Sequence, residues 1–139
     1  HAMKLITIGK LAAKSGLSTD GLRFYERQGL IAPVGRTESG YRQYDLRSLE
    51  RIEFITHAKE VGFTLDEICQ LLLLKDDPTG SCAEVKAHGR QKIKEIDQKL
   101  VALTKMKASL TELVNQCNGD GPSSACPILD GLKKRESGR

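Results

Sequence analysis

The sequence predicts a mainly α-helical protein with a winged helix-turn-helix head, a small β-hairpin wing, a long coiled-coil helix and a short terminal helix. All six aromatic residues of the 139-residue chain lie within its first 63 positions, which favours a small globular head there. From residue 93 onward the apolar residues recur at alternating steps of three and four, which is the pattern of a coiled coil. This seam consists of Ile93, Ile96, Leu100, Leu103, Leu110 and Val114, with Lys107 interrupting one position.

Capping residues and glycines divide the head into short elements. The first helix should run from about residue 8 to 14, and the second from a cap at Ser18 or Thr19 to about residue 28. Two short helices joined through a Gly16 turn form a helix-turn-helix. A turn closed by Gly40 between two short segments then predicts a β-hairpin, and a basic hairpin after a recognition helix is typical of a winged helix.

Three further helices follow the hairpin. Asp45 should cap the third helix, and Thr64 with Glu67 forms a capping box at the start of the fourth. Ser81 should cap the long helix, which contains no proline. The helix-turn-helix segment alone fits equally well with an ordinary helical hairpin that carries solvated arginines, and the wing shifts the balance toward nucleic-acid binding.

Two cysteines mark the ends of the long helix, 35 residues apart. Thirty-five residues are five heptads, so Cys82 and Cys117 lie on the same seam. They are also about 50 Å apart along one helix, so a single chain cannot bring them together. An antiparallel partner helix can, which predicts a two-fold homodimer with two equivalent sulfur sites. Cys126 and Pro127 begin a short terminal helix, whose free amides stabilise a thiolate.

Charge and composition exclude several classes of function. The net charge is +4, and +3 of it lies in the first 63 residues, which permits a nucleic-acid partner without requiring one. No apolar run approaches transmembrane length and no signal peptide is evident, so we expect a cytoplasmic protein without a membrane partner and with reduced cysteines. The sequence has no phosphate-binding glycine loop and no nucleophile–histidine–carboxylate pattern, which makes an enzyme the weakest hypothesis.

Each cysteine taken alone is more readily a small buried hydrophobe than a ligand. Three of them, two in one heptad register and one closing a loop, favour a metal site formed by Cys117, Cys126 and Cys82 of the partner subunit. Cys69 lies inside an amphipathic helix and should serve packing. His57 and His88 are not expected to be ligands.

Several motifs together resemble the MerR family of transcription regulators. They are Thr7-Ile8-Gly9-Lys10-Leu11-Ala12, Leu22-Arg23-Phe24-Tyr25-Glu26, Gly29-Leu30, Gly40-Tyr41-Arg42 and Val61-Gly62-Phe63-Thr64-Leu65-Asp66-Glu67-Ile68. Their order and spacing match the family over nearly the whole chain. The resemblance implies a homodimer that binds a palindromic promoter in double-stranded DNA, represses or activates, and acts on RNA polymerase by distorting the operator.

The resemblance also implies roles for individual residues of the head. Base reading is expected from the start of the recognition helix, and contacts to the DNA backbone from the rest of that helix, the wing and the third helix. The base-reading candidates are Thr19 and Asp20, and the backbone candidates are Arg23, Tyr25, Arg36, Tyr41, Arg42 and Lys59.

The resemblance to the MerR family also limits which metal ions are expected to bind. Family members that sense divalent ions carry a cysteine at the position of Cys82, whereas copper-type members carry serine there. Zinc-type members have two adjacent cysteines followed by a histidine in the loop. Here Asn118 follows Cys117 and the loop has no histidine, which puts a zinc site of that type in doubt. Three thiolates suit a soft ion, so we expect Hg(II) first and Cd(II), Pb(II) or Zn(II) as alternatives. The expected organisation is a DNA-binding head at residues 3–75, a dimerisation helix at 81–117, and a metal-binding loop with its helix at 118–133.

Two rival functions remain on this scaffold. Cys117 and Cys126 could form a disulfide and sense oxidants, in which case Cys82 would be dispensable. The second alternative is a drug-binding regulator. Only about twenty residues follow the long helix, however, which are too few for a separate ligand-binding domain.

Overall fold

The computed structural model describes residues 4–133, so Met3, at the start of the predicted head, lies outside the described residues. The chain divides between His88 and Gly89 into two compact units. Its elements in chain order are β1 (Ile6–Thr7), α1 (Ile8–Ser15), α2 (Thr19–Arg27), β2 (Gly35–Arg36), β3 (Arg42–Tyr44), α3 (Leu46–Glu60), α4 (Leu65–Asp76), α5 (Cys82–Asn115), a 3-10 turn (Ser123–Ala125) and α6 (Pro127–Lys133). No helix within residues 4–133 is both long and apolar enough to cross a membrane.

The predicted caps are present at the helix starts of the head. The Ser18 hydroxyl accepts a hydrogen bond from the Gly21 backbone N–H at 3.0 Å, and the Asp45 carboxylate caps α3. Thr64 and Glu67 form the complete capping box of α4, with bonds of 3.2 and 2.8 Å. These side chains satisfy amide groups that a helix cannot pair internally, which fixes where each helix begins.

The wing belongs to a three-stranded antiparallel sheet of order β1-β3-β2, one strand more than the predicted hairpin. β2 and β3 pair as expected, with Arg36 opposite Arg42. The additional strand β1 pairs on the other side of β3, where Ile6 faces Tyr44. A two-residue strand is too short to show an alternating pattern, so its pairing partner and not its own sequence defines it. Because α1 follows β1 directly, the sheet fixes the start of α1 beside the wing.

The head has its own hydrophobic core between the helices and one face of the sheet. Its most deeply buried side chains, each at most 1% exposed, are Leu11, Leu22, Tyr44, Ile52, Ile55 and Ile68. Cys69 packs against this core, as expected for a structural cysteine. The head therefore supports the wing and the recognition helix from a core made within residues 4–88.

Candidate functional site

The recognition helix α2 presents an ion pair on its exposed face. Arg23 Nη1 lies 3.3 Å from Asp20 Oδ1, and the two side chains are 47% and 93% exposed. An ion pair this exposed contributes little to stability, so the Arg23 guanidinium can turn to a different anion at small cost. Thr19 and Asp20 form the first turn of this helix, where base reading was predicted.

Tyr25 has a different environment from the one its predicted role suggests. It is only 7% exposed and belongs to the head core. The Nζ atom of Lys59, an exposed residue of α3, lies 6.0 Å from the centre of its ring. The Tyr25 hydroxyl makes no hydrogen bond, and every fully buried side-chain polar atom among the described residues makes one. The hydroxyl is therefore accessible to solvent.

The wing carries three of the candidate residues, Arg36, Tyr41 and Arg42. Arg36 Nη1 donates to the Gly40 carbonyl at 2.8 Å, which places its guanidinium across the turn. Gly40 has a φ of +88°, a conformation that favours glycine, and Tyr41 next to it is 69% exposed. Tyr41 and Arg42 share a small cleft of about 120 Å³ with Arg23 and the start of α1.

A carboxylate that the sequence analysis did not single out connects the recognition helix to the wing. Glu26 Oε2 accepts from Arg42 Nε at 2.8 Å, and Glu26 Oε1 accepts from the Tyr44 hydroxyl at 2.6 Å. Burial, followed by the hydrogen bond to Glu26, raises the pKa of Tyr44 from 10.0 to about 12. The position of Glu26 in the sequence could have identified it. Glu26 follows the buried Leu22 by four residues, so it lies on the inner side of α2, where an acid needs a partner.

The loop after α5 brings two thiols together. The Cys117 thiol lies close enough to Cys126 to lower its pKa, and Cys117 Sγ accepts a hydrogen bond from the Gly119 backbone N–H at 3.4 Å. The backbone N–H groups of Leu129 and Ile128, at the start of α6, lower the pKa of Cys126, and the neighbouring Cys117 thiol lowers it further. Amides at a helix start stabilise thiolate, so Cys126 is prepared for binding a cation.

Close packing holds α6 against α5 and so positions Cys126. Leu113 of α5 is 8% exposed, and its side chain lies so close to Gly131 of α6 that a Cβ atom there would overlap it. Glycine is therefore the residue that this approach allows. Nothing in the sequence around Gly131 indicated this, because the partner lies eighteen positions earlier in the chain.

The third predicted sulfur, Cys82, is exposed at the first position of α5. Within residues 4–133, no three His, Cys, Asp or Glu side chains of one chain lie close enough together to hold a metal ion. His57 and His88 are therefore in no such group. The thiol pair of Cys117 and Cys126 suits a soft cation in chemistry but offers two donors only.

The apolar seam of α5 is exposed in the single chain. Its six side chains, Ile93, Ile96, Leu100, Leu103, Leu110 and Val114, are 39 to 61% exposed. A helix that leaves a continuous apolar stripe uncovered has a surface suited to a partner helix.

The capped helix pair, the basic wing beside it and the core beneath them define a winged helix-turn-helix DNA-binding protein. Comparison with known proteins specifies which kind. A family model described as "MerR HTH family regulatory protein" matches residues 6–75, and one described as "MerR, DNA binding" matches residues 49–113. The chain belongs to the MerR family of transcriptional regulators and is not an enzyme.

Relatives match the chain over nearly its whole length. A Haemophilus influenzae protein named "Probable heavy metal-dependent transcriptional regulator" is 44% identical over 91% of this chain and 98% of its own. The HTH-type transcriptional regulator CueR of Yersinia pestis is 39% identical over 91% of each chain. Among solved structures, the transcription regulator PbrR691 from Ralstonia metallidurans CH34 in complex with lead(II) has a TM-score of 0.81 and 35% identity, covering 91% of this chain and 98% of that one.

Proposed function

We propose that this protein is a metal-responsive regulator that activates heavy-metal resistance genes when a soft divalent ion binds its cysteine thiolates. Similarity to a heavy metal-dependent regulator and to a lead(II)-bound regulator supports the metal response. The observation that carries the proposal is the proximity of the Cys117 and Cys126 thiols, together with the α6 amides that lower the pKa of Cys126. Two soft donors lie near one another there, and the lowered pKa of Cys126 favours its thiolate form.

Cys82 of the partner subunit completes the site in this proposal. Five heptads separate Cys82 from Cys117, so an antiparallel α5 from a second copy places the partner's Cys82 beside the thiol pair. The exposed seam of α5 supports such a dimer. Three sulfurs without nitrogen or oxygen donors favour Hg(II), and Cd(II), Pb(II) and Zn(II) are the alternatives.

The dimer binds a palindromic promoter through its two heads, with or without the ion. Thr19 and Asp20 read bases from the start of α2. Backbone phosphates are held by Arg23, Tyr25, Arg36, Tyr41, Arg42 and Lys59. The heads distort the operator for RNA polymerase when the loop of residues 118–126 is closed around the ion. The ion needs only to bind the activating conformer more tightly to shift the population toward it.

Metal titration of the reduced dimer under anaerobic conditions tests this function. Thiolate-to-metal absorption is followed for Hg(II), Cd(II), Pb(II) and Zn(II), and transcription from a promoter selected from a random duplex library is measured with each ion. We expect one tightly bound ion per chain, and the ion bound most tightly should activate at the lowest concentration. Equal transcription with and without every ion would contradict the proposal.

The thiol pair also supports a second candidate, a redox sensor. A peroxide could oxidise Cys117 and Cys126 to a disulfide, whereby the two thiols lose two protons and two electrons and the peroxide is reduced to water. This candidate predicts that peroxide activates the metal-free protein and that Cys82→Ser has no effect. The metal-responsive function predicts instead that peroxide does not activate the metal-free protein and that Cys82→Ser weakens the metal response.

A further inference from the structure

We propose that Glu26 is a positioning residue that holds the wing's Arg42 in the orientation needed to bind a DNA phosphate. The inference rests on the DNA binding proposed above and adds a residue that makes no contact with DNA itself. Glu26 lies on the recognition helix and Arg42 on the wing, so one carboxylate would set the spacing between the two parts of the head that reach DNA.

The geometry leaves the binding end of Arg42 free. Glu26 Oε2 takes only the Nε hydrogen of the guanidinium, at 2.8 Å, and the Nη groups have no partner among the described residues. A guanidinium held through Nε presents its two Nη groups to one further acceptor, such as a phosphate. That acceptor would be received in the cleft that Arg42 shares with Arg23 and Tyr41.

The second oxygen of Glu26 anchors the carboxylate to the core. It accepts the hydroxyl of Tyr44, which is fully buried, at 2.6 Å. Arg42 and Tyr44 are two positions apart on β3, so their side chains lie on the same face of the strand and both reach Glu26. One oxygen of Glu26 thus accepts from the buried tyrosine, while the other oxygen by itself pairs with the half-buried Arg42.

The charge of Glu26 makes the proposal testable, because an acid near DNA repels phosphates. If Glu26 acted on DNA through its charge alone, Glu26→Gln would bind DNA more tightly than wild type. If Glu26 acts by holding Arg42, Glu26→Gln would bind less tightly, since a neutral amide holds a guanidinium weakly. The effect should then depend on the presence of Arg42.

The test is a double-mutant cycle on the metal-free, full-length protein. Fluorescence anisotropy measures binding of the selected duplex at several salt concentrations for wild type, Glu26→Gln, Arg42→Gln and the double variant. We expect Glu26→Gln to lower affinity about tenfold and to reduce the salt slope by about one, the value of one lost phosphate contact. In the Arg42→Gln background the same change should alter affinity less than about twofold.

Tyr44→Phe is the matched control, because it removes one bond to Glu26 and leaves the ion pair with Arg42 in place. It should lower the melting temperature and leave the salt slope unchanged. A reduced slope in Tyr44→Phe would indicate a purely structural network and overturn the proposal, as would equal or tighter binding by Glu26→Gln. Failure of wild type to bind any duplex would instead contradict the proposed function and, with it, this inference.

Discussion

The head and the C-terminal unit differ in how far their apolar side chains are buried. In the head, most of the apolar residues of α1 to α4 pack against one another in a core, and Glu26, Asp45 and Arg51 are paired within it. From residue 89 onward, most large apolar side chains of α5 are exposed. The difference indicates that the head buries its core within one chain, whereas the C-terminal unit leaves an apolar surface exposed, which the proposed dimer would cover.

The same contrast applies to the two candidate sites. The proposed DNA-binding face draws all its residues from one head, and hydrogen bonds from Arg42 and Tyr44 to Glu26 link its wing to α2. The proposed sulfur site has two neighbouring thiols in one chain, Cys117 and Cys126, and in this proposal Cys82 of the partner subunit completes it. Substitutions should therefore affect the two regions through different observables, namely stability in the head and assembly or metal binding in the C-terminal unit.

The largest effect is expected from removing the Cys126 thiol, whose pKa the α6 amides lower. Cys126→Ser should weaken binding of the soft ion by about two to three orders of magnitude, because an alcohol is a poor ligand for such ions. Cys69→Ser is the matched control, since Cys69 packs against the head core, and its affinity for metal should equal that of wild type. Competition with a chelator of known affinity measures both. An equal loss of metal affinity in Cys126→Ser and Cys69→Ser would contradict a metal site confined to the C-terminal unit.

A charge placed on the seam should separate the two chains. Leu103→Glu puts a carboxylate at a seam position that is 58% exposed in the single chain, and the dimer should weaken by at least about a hundredfold. Val101→Glu is the control, because Val101 is similarly exposed, at 56%, but lies off the seam. Analytical ultracentrifugation compares the two variants, and the melting temperature of the head should not change. A dimeric Leu103→Glu protein would locate the interface elsewhere.

A smaller effect is expected within the head, where Tyr44→Phe removes the hydroxyl that Glu26 accepts. The variant should lose about 1–2 kcal/mol of unfolding free energy at neutral pH. Because the pKa of Tyr44 is raised from 10.0 to about 12 by folding, this stabilisation is present below pH 10 and is lost as pH rises toward 12. Wild type should therefore lose more stability than Tyr44→Phe between those pH values, as measured by urea unfolding. Identical pH profiles would contradict the network.

Local signals in the sequence predicted most of the fold. Capping residues and the Gly40 turn identified the helix starts and the hairpin, because they act within a few positions of the chain. β1 was missed, since only its pairing with β3 defines it. The burial of Tyr25 and the link from Glu26 to the wing were missed for the same reason, because both depend on residues distant in sequence.

For the sulfur site, spacing indicated a cross-chain arrangement but not how the loop is held. The proximity of Cys117 and Cys126 could be proposed from their nine-residue separation. The close packing of α6 against Leu113, which requires glycine at position 131, could not be predicted, because no local sequence pattern indicates it.

Mixed dimers test the central claim that each sulfur site draws on two chains. A Cys82→Ser chain is paired with a Cys126→Ser chain, the mixed dimer is isolated with two different affinity tags, and the favoured ion is titrated anaerobically. If the sites are shared, the mixed dimer has one intact site, formed by Cys117 and Cys126 of the first chain and Cys82 of the second. It should bind one ion with the affinity of wild type, whereas neither variant alone should. A mixed dimer that binds no better than its parents would contradict the shared site.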